Sequence, residues 1–501
     1  MKALQVCVIG AGVSGLVSAK TFLEEGYHVT VFEKQTGLGG VWEKSRAYPG
    51  LSIQNPRDTY AFSDYPMPSS YPEWPSGEQI CAYLESYAQH FDVLEKIRFG
   101  AEVTAVKKFE SQAEDRPMWI VNVNFQDDAR GGVKQEQFEF DFVVVCNGTL
   151  SIPNTPNFPG MKEFIASGGK ILHSTQFYDR SQIEGKRVVV VGFGKSATDI
   201  ATVTATEAKE CTLVFRQVLW KIPKFFLGLI NVKYVLLTRF AESWMPYRTL
   251  QGWEKILHTI GKPLVWAFWR ANETLLRLQF SLDACRMLPD QPINKLIGCS
   301  IGLAPQGFFE LVRSGKIHPK KTGIKEFSST GLKLENGEDL DADVVIFGTG
   351  FRQDIPFLEK KYLRQIIDEK SIIHLYRHLI HPLVPQMGFV GYNYSGCAQL
   401  TSEIGARWLV EYFKGNLTLP SQEEILEDIE AELEWRKKER PYAILGGACI
   451  TPFTFHYIDE LMKDMGLKKR RKPWNPIGEF MMPADPSAYK NLRQELLANK
   501  S

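Results

Sequence analysis

The 501-residue chain shows almost no imbalance of charge: 59 Lys and Arg stand against 58 Asp and Glu, a formal net charge of +1. Without a basic excess there is little to neutralise a phosphate backbone, which argues against nucleic acid as a partner. Cysteine is scarce, with eight residues and no C-x-x-C pair. Cys7 and Cys146 lie inside apolar runs, so reduced buried thiols are expected in place of a disulfide framework or a metal site. The first apolar run begins near Leu4, which leaves no room for a leader peptide, so a cytoplasmic protein is expected and the sequon at Asn416 carries no meaning. No Ser/His/Asp or paired-carboxylate constellation is evident.

What the chain does carry is glycine in two matching places. Gly10-Ala11-Gly12-Val13-Ser14-Gly15 follows the apolar run Val6-Cys7-Val8-Ile9, and Gly192-Phe193-Gly194-Lys195-Ser196-Ala197 follows Val188-Val189-Val190-Val191. A helix-like run follows each loop. The first glycine makes a tight turn, the second lets the backbone approach a pyrophosphate, and the third small residue seats the helix on its strand. Seventeen residues separate Gly15 from Glu33, which closes the run Val29-Thr30-Val31-Phe32-Glu33 and can accept hydrogen bonds from a ribose diol. The second unit ends Thr212-Leu213-Val214-Phe215-Arg216, with no carboxylate. Arg216 lies one position beyond the place of Glu33, where a guanidinium suits a 2′-phosphate. The first loop therefore suits FAD and the second suits NADPH.

A second pair of repeated segments indicates how the two units are joined. Asp141 to Gly148 and Asp343 to Gly350 each place an acid before four apolar residues and a terminal glycine, as buried parallel strands do. The expected fold is α/β with two Rossmann-like domains, the NADPH domain inserted into the FAD domain. The boundaries predicted are 1–155 for the first part of the FAD domain, 156–345 for the NADPH domain with a helical insertion at 219–292, 346–450 for the second FAD part and 451–501 for a C-terminal tail. Within the first part a helix is expected over 77–91. A β-ribbon follows, with turns at Glu114 to Arg116 and Gly131-Gly132.

Several further segments carry a family resemblance. Phe158-Pro159-Gly160 is followed by Gly169 to Phe177, with His173 inside; Gly37-Leu38-Gly39-Gly40-Val41-Trp42, Phe62-Ser63-Asp64-Tyr65-Pro66, Phe347 to Phe351 and Thr401 to Trp408 come in the same order and spacing. Together with the two loops they resemble the single-component flavin-dependent monooxygenases, and Phe177 at the end of the F-x-G-x-x-x-H-x-x-x-[Y/F] signature leans toward the flavin-containing type. The leading Phe of that signature is Ser167 here. The resemblance implies an FAD- and NADPH-dependent enzyme that forms a C4a-hydroperoxyflavin and inserts one oxygen atom of O2 into a nucleophilic nitrogen or sulfur centre of a small organic substrate. It also implies FAD contacts at Gly10, Gly12, Gly15, Glu33, Lys34, Gly40, Val41, Trp42, Val103, Thr349, Thr401 and Ser402. NADPH contacts fall at Gly192, Gly194, Lys195, Ser196, Ala197, Arg216 and His173. Thr401 and Ser402 cap a predicted helix running to Lys414, whose N-terminus would stabilise negative charge on the flavin. His173 is expected to place the nicotinamide or to couple the two domains.

The catalytic side chains expected beside the flavin are Gln54 and Asn55. Flavin-containing monooxygenases commonly carry an Asn eight residues before the aromatic of the F-S-D motif, where this chain has Gln54. Baeyer–Villiger enzymes keep an Arg and an Asp in this region, and both are missing from Pro49-Gly50-Leu51-Ser52-Ile53-Gln54. That alternative, a monooxygenase acting on ketones, loses its usual charges. A reductase passing electrons to a protein partner is the other alternative, and it lacks a C-x-x-C. The stretch 219–287 holds five tryptophans and ten Lys or Arg against four Asp or Glu, yet no uncharged run approaching the ~18 residues that span a bilayer. It can pack on the NADPH domain, wall a substrate tunnel or lie on a membrane surface. The sequence also leaves open a homodimer.

Overall fold

Two five-stranded parallel sheets organise the chain, and each is built around one of the glycine loops. The computed structural model describes residues 3–109, 119–127, 132–298, 301–439 and 448–500. In the first sheet the order is Met387–Phe389, Phe142–Val145, Gln5–Ile9, His28–Phe32, Ile97–Arg98. In the second it is His318–Lys321, Glu210–Phe215, Arg187–Val191, Val344–Phe347, Lys170–His173. The central strands are apolar on both faces because both faces are covered. Val6 and Val8 pack among the helices Val13–Glu24 and Ala398–Phe413, whereas Cys7 and Ile9 face the antiparallel layer Ala101–Lys108, Trp119–Asp127 and Gly132–Phe140. Val188 and Val190 are likewise buried against one layer, and Val189 against the antiparallel strands Ile324–Ser328 and Gly331–Leu334. The expected Glu114 to Arg116 turn and Gly131 lie outside the described residues.

The two passages between the sheets run side by side. Ile152–Pro153 pairs antiparallel with Phe351–Arg352, and Asn154 N donates to Gly350 O at 3.0 Å. The Val344–Phe347 strand belongs to the second sheet, pairing with Arg187–Val191, so the return passage starts at Gly348, two residues beyond the expected boundary.

Residues after 451 are not a tail. Tyr457, Ile458, Leu461 and Met462 on the helix Thr454–Asp464, with Leu492 and Leu496 nearer the end, are buried in the same core as Leu16 and Trp408. Helical spacing of apolar residues drives this docking, and charged residues on the exposed side had masked it. Arg471 of the basic run is also engaged, donating from Nη1 to Glu495 Oε2 at 3.0 Å. The insertion clasps these C-terminal helices. Arg239 reaches Asp459 at 2.7 Å and Glu479 at 3.0 Å, Arg248 reaches Glu460 at 3.1 Å, and Phe455 N donates to Glu242 at 2.8 Å. Trp220, Trp244 and Trp269 are buried in its interior, so packing is one established role of the segment. Its elements are not all helical: Lys221–Ile222, Phe225–Phe226 and Ile230–Asn231 are short strands preceding the helices. Among the described residues six cysteines are buried free thiols, and Cys449, against the expectation of thiols, is disulfide-bonded.

Candidate functional site: two phosphate loops and the seam between them

The first loop is held by steric necessity. Gly10 has φ +106°, and a Cβ there would lie 2.5 Å from Cys146 O; a Cβ on Gly15 would come within 1.8 Å of Gly10 O. Gly12 caps the helix Val13–Glu24 without any side-chain bond, leaving its first N–H groups for an anion. Gly40, at φ +63°, lies against Gly12, and Gly39 N donates to Ala11 O at 2.9 Å, so the Gly37 to Gly40 segment folds directly over the loop. Val41 is exposed beside it, while Trp42 is buried edge-on to Tyr60. Glu33 is buried at the end of its strand. Its Oε2 accepts from Ala11 N at 2.7 Å and its Oε1 from Gln35 N at 2.9 Å, which fixes the carboxylate and leaves further lone pairs for ribose hydroxyls. Lys34 is exposed next to it, and Val103 is buried in the apolar layer beneath Phe32. A cradle that admits only glycine, with an oriented acid, fits the diphosphate and ribose of FAD.

The helix expected to start at Thr401 starts earlier, at Ala398, and ends as expected at Lys414 and Gly415. Thr401 and Ser402 are therefore the fourth and fifth residues of the helix, not caps. Thr401 Oγ1 donates back to Cys397 O at 3.3 Å, and Ser402 Oγ lies 3.1 Å from Ser14 Oγ of the first loop's helix. Cys397 lacks the side-chain oxygen that normally announces a cap, which is why the start was misplaced. Further along, Glu403 accepts from Ser63 N at 2.9 Å and from Ser63 Oγ at 2.6 Å. Burial, with Asp64 acting in the same direction, pushes the Glu403 carboxyl up to about 7. The Phe62-Ser63-Asp64 motif thus anchors this helix, with Phe62 stacked 4.1 Å from Tyr87.

Gln54 and Asn55 are adjacent in sequence but serve different sides. Gln54 Oε1 accepts from Leu303 N of the second domain at 3.2 Å. Asn55 is 8% exposed, and its Nδ2 donor has no partner; it faces Gly396 at the entry to the Ala398–Phe413 helix. An orphaned buried amide beside that helix start is what a polar ring edge would satisfy.

The second loop repeats the turn but not the enclosure. Gly192 has φ +123° and lies against Gly348 O, and Ala197 Cβ fills the space above Gly348. Around Gly194 the space for a Cβ is open. Lys195 pairs with the buried Asp199, which also accepts from Tyr48 OH at 2.9 Å, a bond reaching over from the first domain. Ser196, half-buried, stands by the same phenol. Arg216 is exposed just past the strand Glu210–Phe215 and makes no ion pair among the described residues. An open helix N-terminus and an unengaged guanidinium fit NADPH. His173 and Thr349 both sit at the crossing: His173 Nε2 is 3.0 Å from Gly350 O and Nδ1 is 3.1 Å from Thr175 Oγ1, while Thr349 Oγ1 donates to Asn154 O. Burial lowers the His173 imidazole below its usual range. Tyr48, Asp199, Lys221 and Gln54's partner Leu303 were missed by sequence reasoning. Of these, only Asp199 had a signal, its i,i+4 spacing from Lys195.

Two glycine loops on two parallel sheets, meeting at one seam, define a two-dinucleotide oxidoreductase architecture. A family model described as flavin-binding monooxygenase-like matches residues 3–251 and 310–473. The chain is 32% identical to an Arabidopsis thaliana protein named probable flavin-containing monooxygenase 1, over 98% of this chain and 97% of that one. It is 28% identical to a rabbit (Oryctolagus cuniculus) dimethylaniline monooxygenase [N-oxide-forming] 2, over 93% and 83%. Among solved structures, S-allyl-L-cysteine S-oxygenase from Allium sativum superimposes with a TM-score of 0.60 at 20% identity, covering 99% of each chain. Cyclohexanone monooxygenase superimposes at 0.69, also 20% identical, covering 92% and 97%; these two likenesses speak for the fold. The chain belongs to the flavin-binding monooxygenase-like family. It is an oxidoreductase of the flavin-containing monooxygenase type, and the cofactors of that family are FAD and NADPH.

Proposed function

We propose that this protein oxygenates a nucleophilic nitrogen or sulfur centre of a small organic molecule. The observation that carries this is the neutral Gln54-Asn55 pair, with the Asn55 Nδ2 donor unsatisfied at the start of the Ala398–Phe413 helix. Bound FAD, reduced by NADPH, supplies the chemistry of oxygen transfer from O2. The chain's part is to bind, orient and exclude water. With FAD bound, Asn55 Nδ2 would donate to its ring edge, and the free N–H groups of the helix start would favour negative charge there. Gln54 ties the second domain down through Leu303 N. The cation and acid that follow in sequence are committed elsewhere: Arg57 donates to Ser69 O at 2.7 Å, and Asp58 pairs with Lys233 at 2.5 Å. A ketone oxidation calls for a cation beside the reacting oxygen, and the segment Pro49 to Gln54 carries no Arg to supply one. The name of the dimethylaniline relative supports the same reading. The test is a substrate panel: thioethers and tertiary amines should turn over at least tenfold faster than cyclic ketones, and lactone formation with untouched amines would overturn the proposal.

The outer face of the insertion favours a peripheral lipid contact as a second property. Ile260 is 84% exposed, Trp266 66% and Leu264 58%, while no described helix is long and apolar enough to cross a membrane. Salt-sensitive sedimentation with anionic vesicles is the expected result. Recovery wholly in the supernatant would reject it.

A further inference from the structure

We propose that Lys221, with Lys195 and Lys224, forms a binding site for a phosphate or carboxylate group at the seam beside the second glycine loop. The proposal rests on the assignment of that loop to NADPH and goes beyond it, because Lys221 lies outside the dinucleotide fingerprint.

The short strand Lys221–Ile222 pairs with Gly302–Leu303, placing Lys221 in register with Gly302. Gly302 is itself at the seam. A Cβ there would lie 2.8 Å from Gln54 Oε1 and 3.5 Å from Lys195 Cβ. Lys221 is 2% exposed, and its Nζ has no hydrogen-bond partner. The ammonium stands 5.4 Å from the ring of Phe193, the residue between the two glycines of the loop. The charged groups facing it are Asp199 and Lys195. Asp199 is already paired with Lys195 and bonded by Tyr48 OH at 2.9 Å. Lys224, half-buried, adds a third cation in the same field, its Nζ 5.2 Å from the ring of Trp74.

Three ammonium groups therefore face one carboxylate that two donors already occupy. A buried, unpaired ammonium is costly, and a neutral side chain of similar length would fill the same space without that cost. Burial, reinforced by Lys195, pushes the Lys221 ammonium down to about 7 even though Asp199 opposes the shift. An arriving anion would supply the missing partner and draw the ammonium back to its charged form. The group can come from the phosphates of the dinucleotide or from a carboxylate on the substrate.

Calorimetric titration of the FAD-loaded protein separates the sources. NADP+ is titrated into wild type, Lys221→Met and Lys224→Met at pH 8, and then 3-(methylthio)propanoate and its methyl ester into the NADP+-loaded forms. A phosphate source predicts NADP+ binding at least tenfold weaker in Lys221→Met. A carboxylate source predicts the same loss for the acid and none for the ester. In either arm wild type takes up protons on binding at pH 8, in buffers of differing ionisation enthalpy, and Lys221→Met does not. Lys224→Met, whose side chain is only half-buried, shows a smaller loss in the same arm and keeps the test alive should Lys221→Met fail to fold. Variants that bind NADP+ and the acid within twofold of wild type while melting at higher temperature overturn the proposal alone. A wild-type protein that binds neither overturns it together with the assignment of the second loop.

Discussion

The two halves of the molecule repeat one plan, yet their phosphate loops differ in how they are closed. In the first, Gly40 lies on Gly12, Gly39 N holds Ala11 O, and the acid Glu33 is fixed by two backbone donors. In the second, the space about Gly194 is open and Arg216 stands exposed. An enclosed loop suits a group that stays, and an open one suits a coenzyme that must enter and leave each cycle. The same sheet order with the same antiparallel layer before the closing strand thus yields two sites of opposite character.

The sharpest way to break this comparison is to make the first loop like the second. Gly15→Ala copies the residue that Ala197 already supplies in loop two, but here the Cβ would lie 1.8 Å from Gly10 O. Overpacking of this kind costs about 3 kcal/mol or more, so the variant should be recovered with little FAD, read from the flavin absorbance per protein. Full flavin content would refute the steric argument.

The next largest effect belongs to Arg216→Ala. Loss of a charge-assisted contact costs about 1.5–3 kcal/mol, so the KM for NADPH should rise roughly tenfold or more, with FAD content and the KM for NADH unchanged. Wild type using NADH as well as NADPH would remove the basis of the second assignment.

Asn55→Ala removes the unpaired donor and should raise peroxide released per NADPH several-fold, with flavin reduction rate nearly constant. Gln54→Ala should act more weakly on coupling and loosen the hold on Leu303. Equal effects on reduction and coupling would place both amides on the NADPH side.

The smallest effect concerns pH. The Glu403 carboxyl is raised to about 7 by burial, so its folded pKa lies above the unfolded value. Its stabilising contribution is complete below about pH 4.5 and is lost as pH rises through about 7. Glu403→Gln, neutral throughout, should flatten the fall in Tm between about pH 4.5 and 7. A variant with the wild-type slope would locate that titration elsewhere.

The strands, loops and helices of both halves are legible because their signals are local: a run of valines, spaced glycines, an acid at a fixed distance. Cys397 shows where locality ends, since a helix can start on a residue whose side chain gives no sign of it. The C-terminal segment fails for the opposite reason. Lys468 to Arg471 dominates its appearance, while Ile458, Leu461 and Met462, which dock it, repeat at helical spacing among charged neighbours. Lys221 was invisible because nothing in Leu219-Trp220-Lys221-Ile222 says that strand pairing with Gly302 will bury it. Gln54 and Asn55 were readable as a pair but not as two residues facing apart.

The paired passages at Ile152–Pro153 and Phe351–Arg352 mean that the whole second domain enters and leaves through one narrow doorway. Its first and last residues are therefore neighbours, and the chain joins the two halves at that one place. In space they are also stitched together from both sides, by Tyr48 on Asp199 and by Arg239 and Glu242 on the C-terminal helices. The doorway is a hinge in the chain held shut by those contacts.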